Sequence, residues 1–212
     1  MVSDQVNGYL GSLIKARNNL LTEMEEFARV HNVPIMDIVS MEAMLQIVSL
    51  VRSKKVLEIG TAIGYSAMRV AEKLPDCLIV SIERDKDRYE KAKYFIARAN
   101  LENRVKLIYG DALEIAPELK KYGDFDCLFI DAAKGQYKRF FELYSPFVER
   151  EGLVISDNVL FKGIVAQDGK VAKGLRTMVV NLRAYNEMLI ADQEYETTFY
   201  PIGDGLAISK KK

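Results

Sequence analysis

The chain has 212 residues, 49% apolar and 28% charged, a balance that fits a globular protein and excludes a disordered or fibrous one. Its 30 basic residues offset 30 acidic ones, so net charge draws the molecule toward neither nucleic acid nor membrane; a polyanion would need a local basic patch. No apolar run is long enough to span a bilayer. Met1-Val2-Ser3-Asp4-Gln5 lacks the basic start and apolar core of a signal peptide, which makes the cytoplasm the expected compartment.

Residues 1–52 read as helical, with a break at Val33-Pro34. Leu10, Leu13, Ile14, Leu20, Leu21, Met24 and Phe27 form an apolar stripe suited to covering a sheet, a neighbouring subunit, or both. From about residue 54, short β-rich runs alternate with helical patterns. Val56–Ile59 is a first strand, with a helix over Tyr65–Leu74; Leu78–Ile82 is a second, with a charged helix from Asp85 to Asn100. Val105–Tyr109 is a third, with a short helix over Ala112–Lys120; Phe125–Ile130 and Gly152–Ser156 are the fourth and fifth, separated by a helix near Tyr137–Val148. This alternation predicts an α/β fold with a parallel sheet covered on both faces, within one domain spanning 1–212.

Lys173–Ile190 is an amphipathic helix on its spacing, with Leu175, Met178, Val179, Leu182, Tyr185 and Leu189 on one side. Two β-rich runs, Tyr195–Ile202 and Leu206–Ser209, then flank Gly203-Asp204-Gly205, so the sheet should end in an antiparallel hairpin. Lys210-Lys211-Lys212 is left as a basic tail. Cys77 and Cys127 sit in apolar, strand-like stretches and read as buried reduced thiols. His31, the only histidine, reads as a surface residue near the helix break.

Two strands end in hard oxygen ligands. The fourth runs into Asp131, with Lys134 three residues on, and the fifth runs into Asp157-Asn158. Neighbouring parallel strands would bring these groups together at the carboxyl edge, where open α/β sheets bind ligands. Two carboxylates and an amide oxygen suit a hard divalent cation such as Mg2+, and a lysine beside it suits a general base. Taken singly, Lys134 is equally a surface helix residue and Asp157-Asn158 equally a turn.

The other half of the edge has a different chemistry. Glu58-Ile59-Gly60-Thr61-Ala62-Ile63-Gly64-Tyr65-Ser66 joins the first strand to a helix, and its glycines permit close approach of a ligand. Ala62 breaks the G-x-G-x-x-G spacing, which disfavours a pyrophosphate cradle and a nicotinamide dehydrogenase against an uncharged or cationic cofactor. Glu83 ends the second strand and can accept from ribose hydroxyls, although an acid before a helix also serves its dipole. Gly110-Asp111-Ala112 ends the third strand, positioned for an adenine edge. Together these elements read as an adenosyl pocket.

Leu57–Ser66, Ile130-Asp131-Ala132-Ala133-Lys134 and Asp157-Asn158 resemble the cation-dependent O-methyltransferases of the catechol and caffeoyl-CoA type, over nearly the whole chain. Within that family, Val33–Met36, Asp131–Tyr137, Asp157–Gly163 and Gly203–Lys210 resemble the bacterial tRNA 5-hydroxyuridine methyltransferase subgroup. The resemblance implies a Rossmann-like class I methyltransferase fold with a seven-stranded, mostly parallel sheet, and a homodimer. It implies S-adenosylmethionine against Met36, Glu58, Gly60, Gly64, Ser66, Glu83, Asp111, Ala112 and Asp131, and Mg2+ or another divalent cation on Asp131, Asp157 and Asn158. Lys134 becomes the base, with Asp131 beside it in catalysis. The expected reaction is methylation of wobble 5-hydroxyuridine to 5-methoxyuridine in a tRNA anticodon loop, with a small catechol-like acceptor as the alternative.

RNA contact would fall to Lys162, Lys170, Lys173, Arg176, Arg183 and the lysine tail, with Arg52, Lys54 and Lys55 as further candidates. A solvated charged face explains them equally well. Asp168–Arg176 departs from the dense arginine cluster of that subgroup, its basic residues being diluted by glycines. A non-catalytic RNA-binding module is disfavoured by the intact set of Asp131, Lys134, Asp157 and Asn158.

Overall fold

The computed structural model describes residues 3–167 and 171–212. Three helices, α1 (Asp4–Leu13), α2 (Asn19–His31) and α3 (Ile38–Leu50), precede the first strand. Five units follow: β1 (Lys55–Ile59) and α4 (Tyr65–Lys73), β2 (Leu78–Glu83) and α5 (Lys86–Arg98), β3 (Val105–Tyr109), β4 (Phe125–Ile130) and α6 (Tyr137–Tyr144), and β5 (Val148–Ser156). The chain closes with α7 (Arg176–Ala191), β6 (Tyr195–Tyr200) and β7 (Leu206–Lys211). The seven strands form one sheet in the order β3-β2-β1-β4-β5-β7-β6, in which only the pairings of β7 are antiparallel. This is the Rossmann-like sheet with a terminal hairpin that the sequence predicts.

The central strands are apolar on both sides because both faces are covered. Val56, Ile79, Cys127, Leu153 and Ile155 face one core, shared with Leu21, Met24, Met41, Met44 and Met68. Leu57, Val80, Leu128 and Val154 face the other, against Phe140, Phe141, Leu182 and Tyr185 of α6 and α7. The N-terminal helices therefore seal one face of the sheet. Ser3, Asn18, Asp37 and Asp85 cap α1, α2, α3 and α5 by accepting first-turn N–H groups. A polar chain ties α2, α3 and α4 together: Arg17 binds Glu25 through two nitrogens, Tyr65 donates to Glu25 at 2.5 Å, and buried Arg69 donates to Tyr65 at 2.9 Å and to Glu42.

Several boundaries differ from the sequence reading. A second helix break lies between Leu13 and Asn19, where Asn18 supplies a cap for which the apolar stripe gives no signal. The short helix expected over Ala112–Lys120 is a turn followed by a 3-10 helix, Ala116–Tyr122, since Asp111 bonds the Leu113 N–H and Pro117 follows. The helix after Tyr137 stops at Tyr144 ahead of Pro146, and β5 starts at Val148, with an irregularity opposite Phe125 and Cys127. The lysine tail is not free. Lys210 pairs with Glu151, Lys211 donates to the Val148 carbonyl at 2.8 Å, and Lys212 donates to the Gln193 carbonyl at 2.9 Å. Cys77 and Cys127 are buried free thiols, and exposed His31 stacks on Phe27 at 4.1 Å.

Candidate active site

The residue after each parallel strand donates its N–H to a carbonyl at the end of the neighbouring strand. Gly60 N–H donates to Ile82 at 3.0 Å, Asp131 N–H to Ile59 at 3.0 Å, Asp157 N–H to Ile130 at 3.1 Å, and Gly110 N–H to Glu83 at 3.0 Å. Gly110, Gly60, Asp131 and Asp157 therefore lie in step along the carboxyl edge. A cavity of about 580 Å3 opens above them, a size usual for a small-molecule site. Met36, Gly60, Glu83, Asp111, Ala112, Asp131, Lys134, Asp157 and Asn158 line it.

Glu58, Gly64 and Ser66 do not line the cavity; they stand behind its loop. Buried Glu58 accepts from Thr61 Oγ1 at 2.8 Å and from the hydroxyls of Ser66 and Ser81, and burial pushes its carboxyl above the ordinary range. Gly64 faces Ala92 and Ile96 of α5, where a Cβ would sit 3.3 Å from Ala92 Cβ. These residues shape the loop from behind the cavity wall. The strand's alternation explains the outcome: Glu58 belongs to the buried part of β1, one residue before the strand ends.

On the β2–β3 side, Glu83 holds the Ala62 N–H on one oxygen and the Asp85 N–H on the other, both at 2.8 Å, which fixes its carboxylate toward the cavity. Asp111 accepts from the Leu113 N–H at 2.9 Å and lies 3.6 Å from Arg84. On the β4–β5 side the environment is acidic and dry. Burial pushes the Asp131 carboxyl up to about 6, opposed by the Lys134 ammonium. Burial, then the charge of Asp131, raises Asp157 further above the carboxylate range, and Asp37 adds to the repulsion. Such a pair lacks positive charge. Asn158 takes a left-handed backbone (φ 57°) and its N–H donates to Asp157 at 2.7 Å.

The sequence reading misses part of the wall: Asp37, Arg84, Arg88, Gln136 and Asp204 also line the cavity. Asp37 follows Met36 directly but carries no signal of its own in the sequence, and Asp204 shows there only as a turn residue. Asp204 arrives through the hairpin turn, and its carbonyl accepts from the Leu160 N–H at 2.9 Å and the Phe161 N–H at 3.0 Å. The same clamp holds Phe161 and Lys162 in the left-handed region (φ 39° and 53°), with the Phe161 ring centroid 5.9 Å from Lys134 Nζ. Strain of this kind collects at functional sites.

A family model described as O-methyltransferase matches residues 12–212. The chain belongs to this O-methyltransferase family. A caffeoyl-CoA O-methyltransferase from Populus kitakamiensis is 32% identical over 171 residues, covering 78% of this chain and 73% of the relative. A flavonoid 3',5'-methyltransferase from Vitis vinifera is 29% identical, covering 93% and 86%. Among solved structures, a Staphylococcus aureus protein provisionally assigned as a caffeoyl-CoA O-methyltransferase is 41% identical with a TM-score of 0.93, covering 99% of this chain and 100% of that one. An O-methyltransferase from Bacillus cereus, solved with S-adenosylhomocysteine, is 25% identical with a TM-score of 0.85, covering 98% and 97%. The enzyme is an S-adenosylmethionine-dependent O-methyltransferase. Among the described residues, no helix is long and apolar enough to cross a membrane.

Proposed function

We propose that this enzyme methylates one of two vicinal oxygens on a planar acceptor held by a divalent cation, with a small catechol-type phenol as the acceptor. The observation that carries this reading is the pair of half-buried Asp131 and buried Asp157 on adjacent strand ends, after β4 and β5, with Lys134 on the same wall. The donor set fits a hard cation. Two carboxylates held above their ordinary range by burial gain most from a positive ion, and Asn158 adds an amide oxygen. Among the described residues no third carboxylate, imidazole or thiol joins them, so water would complete the shell of an ion such as Mg2+.

S-adenosylmethionine would occupy the β1–β2–β3 side. Glu83 accepts from the ribose hydroxyls, Asp111 and Ala112 meet the adenine edge, and Met36, Gly60 and Asp131 bound the methionine end. A bound cation would lower the pKa of the acceptor hydroxyl and fix both oxygens. A cation beside Lys134 would disfavour its ammonium form, and Nζ as the neutral amine then takes the acceptor's proton. The Phe161 ring lies beneath Lys134 Nζ, 5.9 Å from ring centroid to nitrogen. Most of the rate gain comes from this alignment of oxygen and methyl.

The small phenolic acceptor is favoured by relatives named for caffeoyl-CoA and flavonoids. A second reading, wobble 5-hydroxyuridine of tRNA, is favoured by the motif stretches at 131–137 and 157–163 and by exposed Lys162 and Lys173 near the mouth segment. An unpaired anticodon base reaches a pocket with little unstacking. Fewer basic groups are free than the sequence promises: Arg183 donates to the Val165 and Gln167 carbonyls at 2.8 and 2.6 Å, and Arg176 to Val171 at 3.1 Å. Lys170 lies outside the described residues. Lys54 and Lys55 sit at the opposite edge of the sheet, where β1 begins. A homodimer accords with the exposed apolar residues of α1, Tyr9 and Leu13, both 63% accessible.

The deciding experiment gives purified protein S-adenosylmethionine, with Mg2+ or with chelator, and offers catechols and 5-hydroxyuridine-containing tRNA in parallel. Mg2+-dependent methylated catechol supports the first reading. Methylation of the tRNA alone, detected as 5-methoxyuridine by nucleoside mass spectrometry, replaces it with the second. Turnover unaffected by chelator overturns the role of the cation.

A further inference from the structure

Five tyrosines are buried in the described chain, and four of their hydroxyls are satisfied. Tyr65 donates to Glu25 at 2.5 Å, Tyr144 to the Ala112 carbonyl at 2.6 Å, Tyr195 to the Ser145 carbonyl at 3.1 Å, and Tyr185 shares a bond with Ser156 at 2.7 Å. Tyr137 is the exception. It is 1% exposed, and its O–H has no acceptor among the described residues; the Ala132 N–H, next to Asp131, is the one backbone donor that faces its oxygen. A buried donor left unpaired costs free energy and calls for a cause, such as a partner that arrives with a ligand.

Its surroundings identify that ligand. Tyr137 opens α6, three residues after Lys134 and six after Asp131. Its ring meets Tyr185 edge-on at 5.6 Å, and the hydroxyl of Tyr185 is bonded to Ser156, the residue before Asp157. Burial raises the Tyr137 hydroxyl pKa first, and the charges of Asp131 and Asp157 raise it further, so the group lies within the field of both carboxylates. Its O–H is a buried donor without an acceptor, one residue from Asp131 through Ala132 and next to the Tyr185–Ser156 bond that precedes Asp157.

We propose that Tyr137 is a positioning residue for the cation site, its hydroxyl completing its hydrogen bonding on the Asp131–Asp157 pair when a divalent cation is bound. This rests on the metal-dependent reading above. A bound cation would be held by Asp131 and Asp157, and Tyr137 would support the orientation of those carboxylates, as outer residues commonly do for metal ligands. The hydroxyl therefore favours the loaded form over the empty one. It touches neither the acceptor nor the donor.

The test compares wild type, Tyr137→Phe, Tyr185→Phe and Asp157→Ala by calorimetric Mg2+ titration and by thermal melting with and without Mg2+. Tyr137→Phe should melt at or above the wild-type temperature without metal, since it removes an unpaired group. Its Mg2+ Kd should weaken about 10-fold, raising the Mg2+ requirement while kcat at saturating Mg2+ holds. Tyr185→Phe, which breaks a made bond, should melt lower and leave the Mg2+ Kd unchanged. A Tyr137→Phe protein that is destabilised without metal, or that binds Mg2+ as wild type does, overturns the proposal. Wild type that binds no Mg2+, or Asp157→Ala that binds it normally, overturns the metal reading itself and the proposal with it.

Discussion

Gly60 and Asp131 are packed so closely that a Cβ on Gly60 would lie 2.2 Å from the Asp131 carbonyl oxygen. Gly60 also holds φ at 99°, a region that side chains avoid. The end of β1 and the end of β4 can therefore meet only through a glycine, and the two halves of the cavity meet at that contact. Gly60→Ala should push the Asp131 backbone away and strain its own. The expected cost is about 3 kcal/mol, or a melting temperature lower by roughly 6–12 °C. Titration with S-adenosylhomocysteine should also weaken at least about 10-fold. A normal melt with normal binding would overturn this account of the loop.

Asp157→Ala and Lys134→Ala should separate catalysis from folding. Asp157 is a buried carboxylate repelled by Asp131 and Asp37, so its removal relieves repulsion and should leave the metal-free fold at least as stable. Turnover should nonetheless fall by about 100-fold or more in each variant, through loss of cation affinity in one and of the proton acceptor in the other. Steady-state rates at the Mg2+ concentration that just saturates wild type, beside a thermal melt, decide the point; near-normal turnover in either variant would remove that residue from its role.

Glu58 should leave a signature in the pH dependence of stability. Its folded carboxyl is raised above the free value of 4.5, chiefly by burial. The folded protein then binds the proton more tightly than the unfolded chain. The contribution is fully present below about pH 4.5 and is lost as pH rises through the folded value. Glu58→Gln fixes a neutral group in the same cradle of hydroxyls. Its stability relative to wild type, followed by urea unfolding from pH 4 to pH 8, should improve as pH rises. A difference that stays constant with pH would contradict the assignment.

Arg69 should carry stability without touching the site. It is buried and joins Tyr65 of α4 to Glu42 of α3. Arg69→Ala should cost about 2 kcal/mol, a value discounted because Glu42 is partly exposed. Arg69→Lys keeps the charge but not the two-nitrogen fork, and should fall between. Urea midpoints at unchanged m-value give the measurement, and an Arg69→Ala midpoint equal to wild type would show the polar chain to be incidental.

The alternation of short apolar runs with helical periodicity is enough to predict the sheet, its two covered faces and the closing hairpin, because those patterns are local consequences of burial. The same runs end in Asp131, Asp157-Asn158, Glu83 and Asp111, and parallel pairing carries all of them to one edge. Boundaries held by single polar side chains escape that reading: Asn18 and Asp111 each redirect the backbone through one hydrogen bond. The lysine tail looks free in the sequence because its partners, Glu151 and the Val148 carbonyl, lie about 60 residues away and meet it only through strand pairing. Glu58 and Ser66 sit inside a binding motif yet turn inward, because a motif specifies chain spacing and not the direction of a buried side chain. Asp37 and Asp204 join the cavity wall only once the N-terminal helices and the hairpin fold over the sheet. The sequence alone determined the sheet and the chemistry at its edge, since both are periodic and local. Tertiary packing alone decided which of those groups face the cavity and what else walls it, since that depends on contacts between segments far apart in the chain.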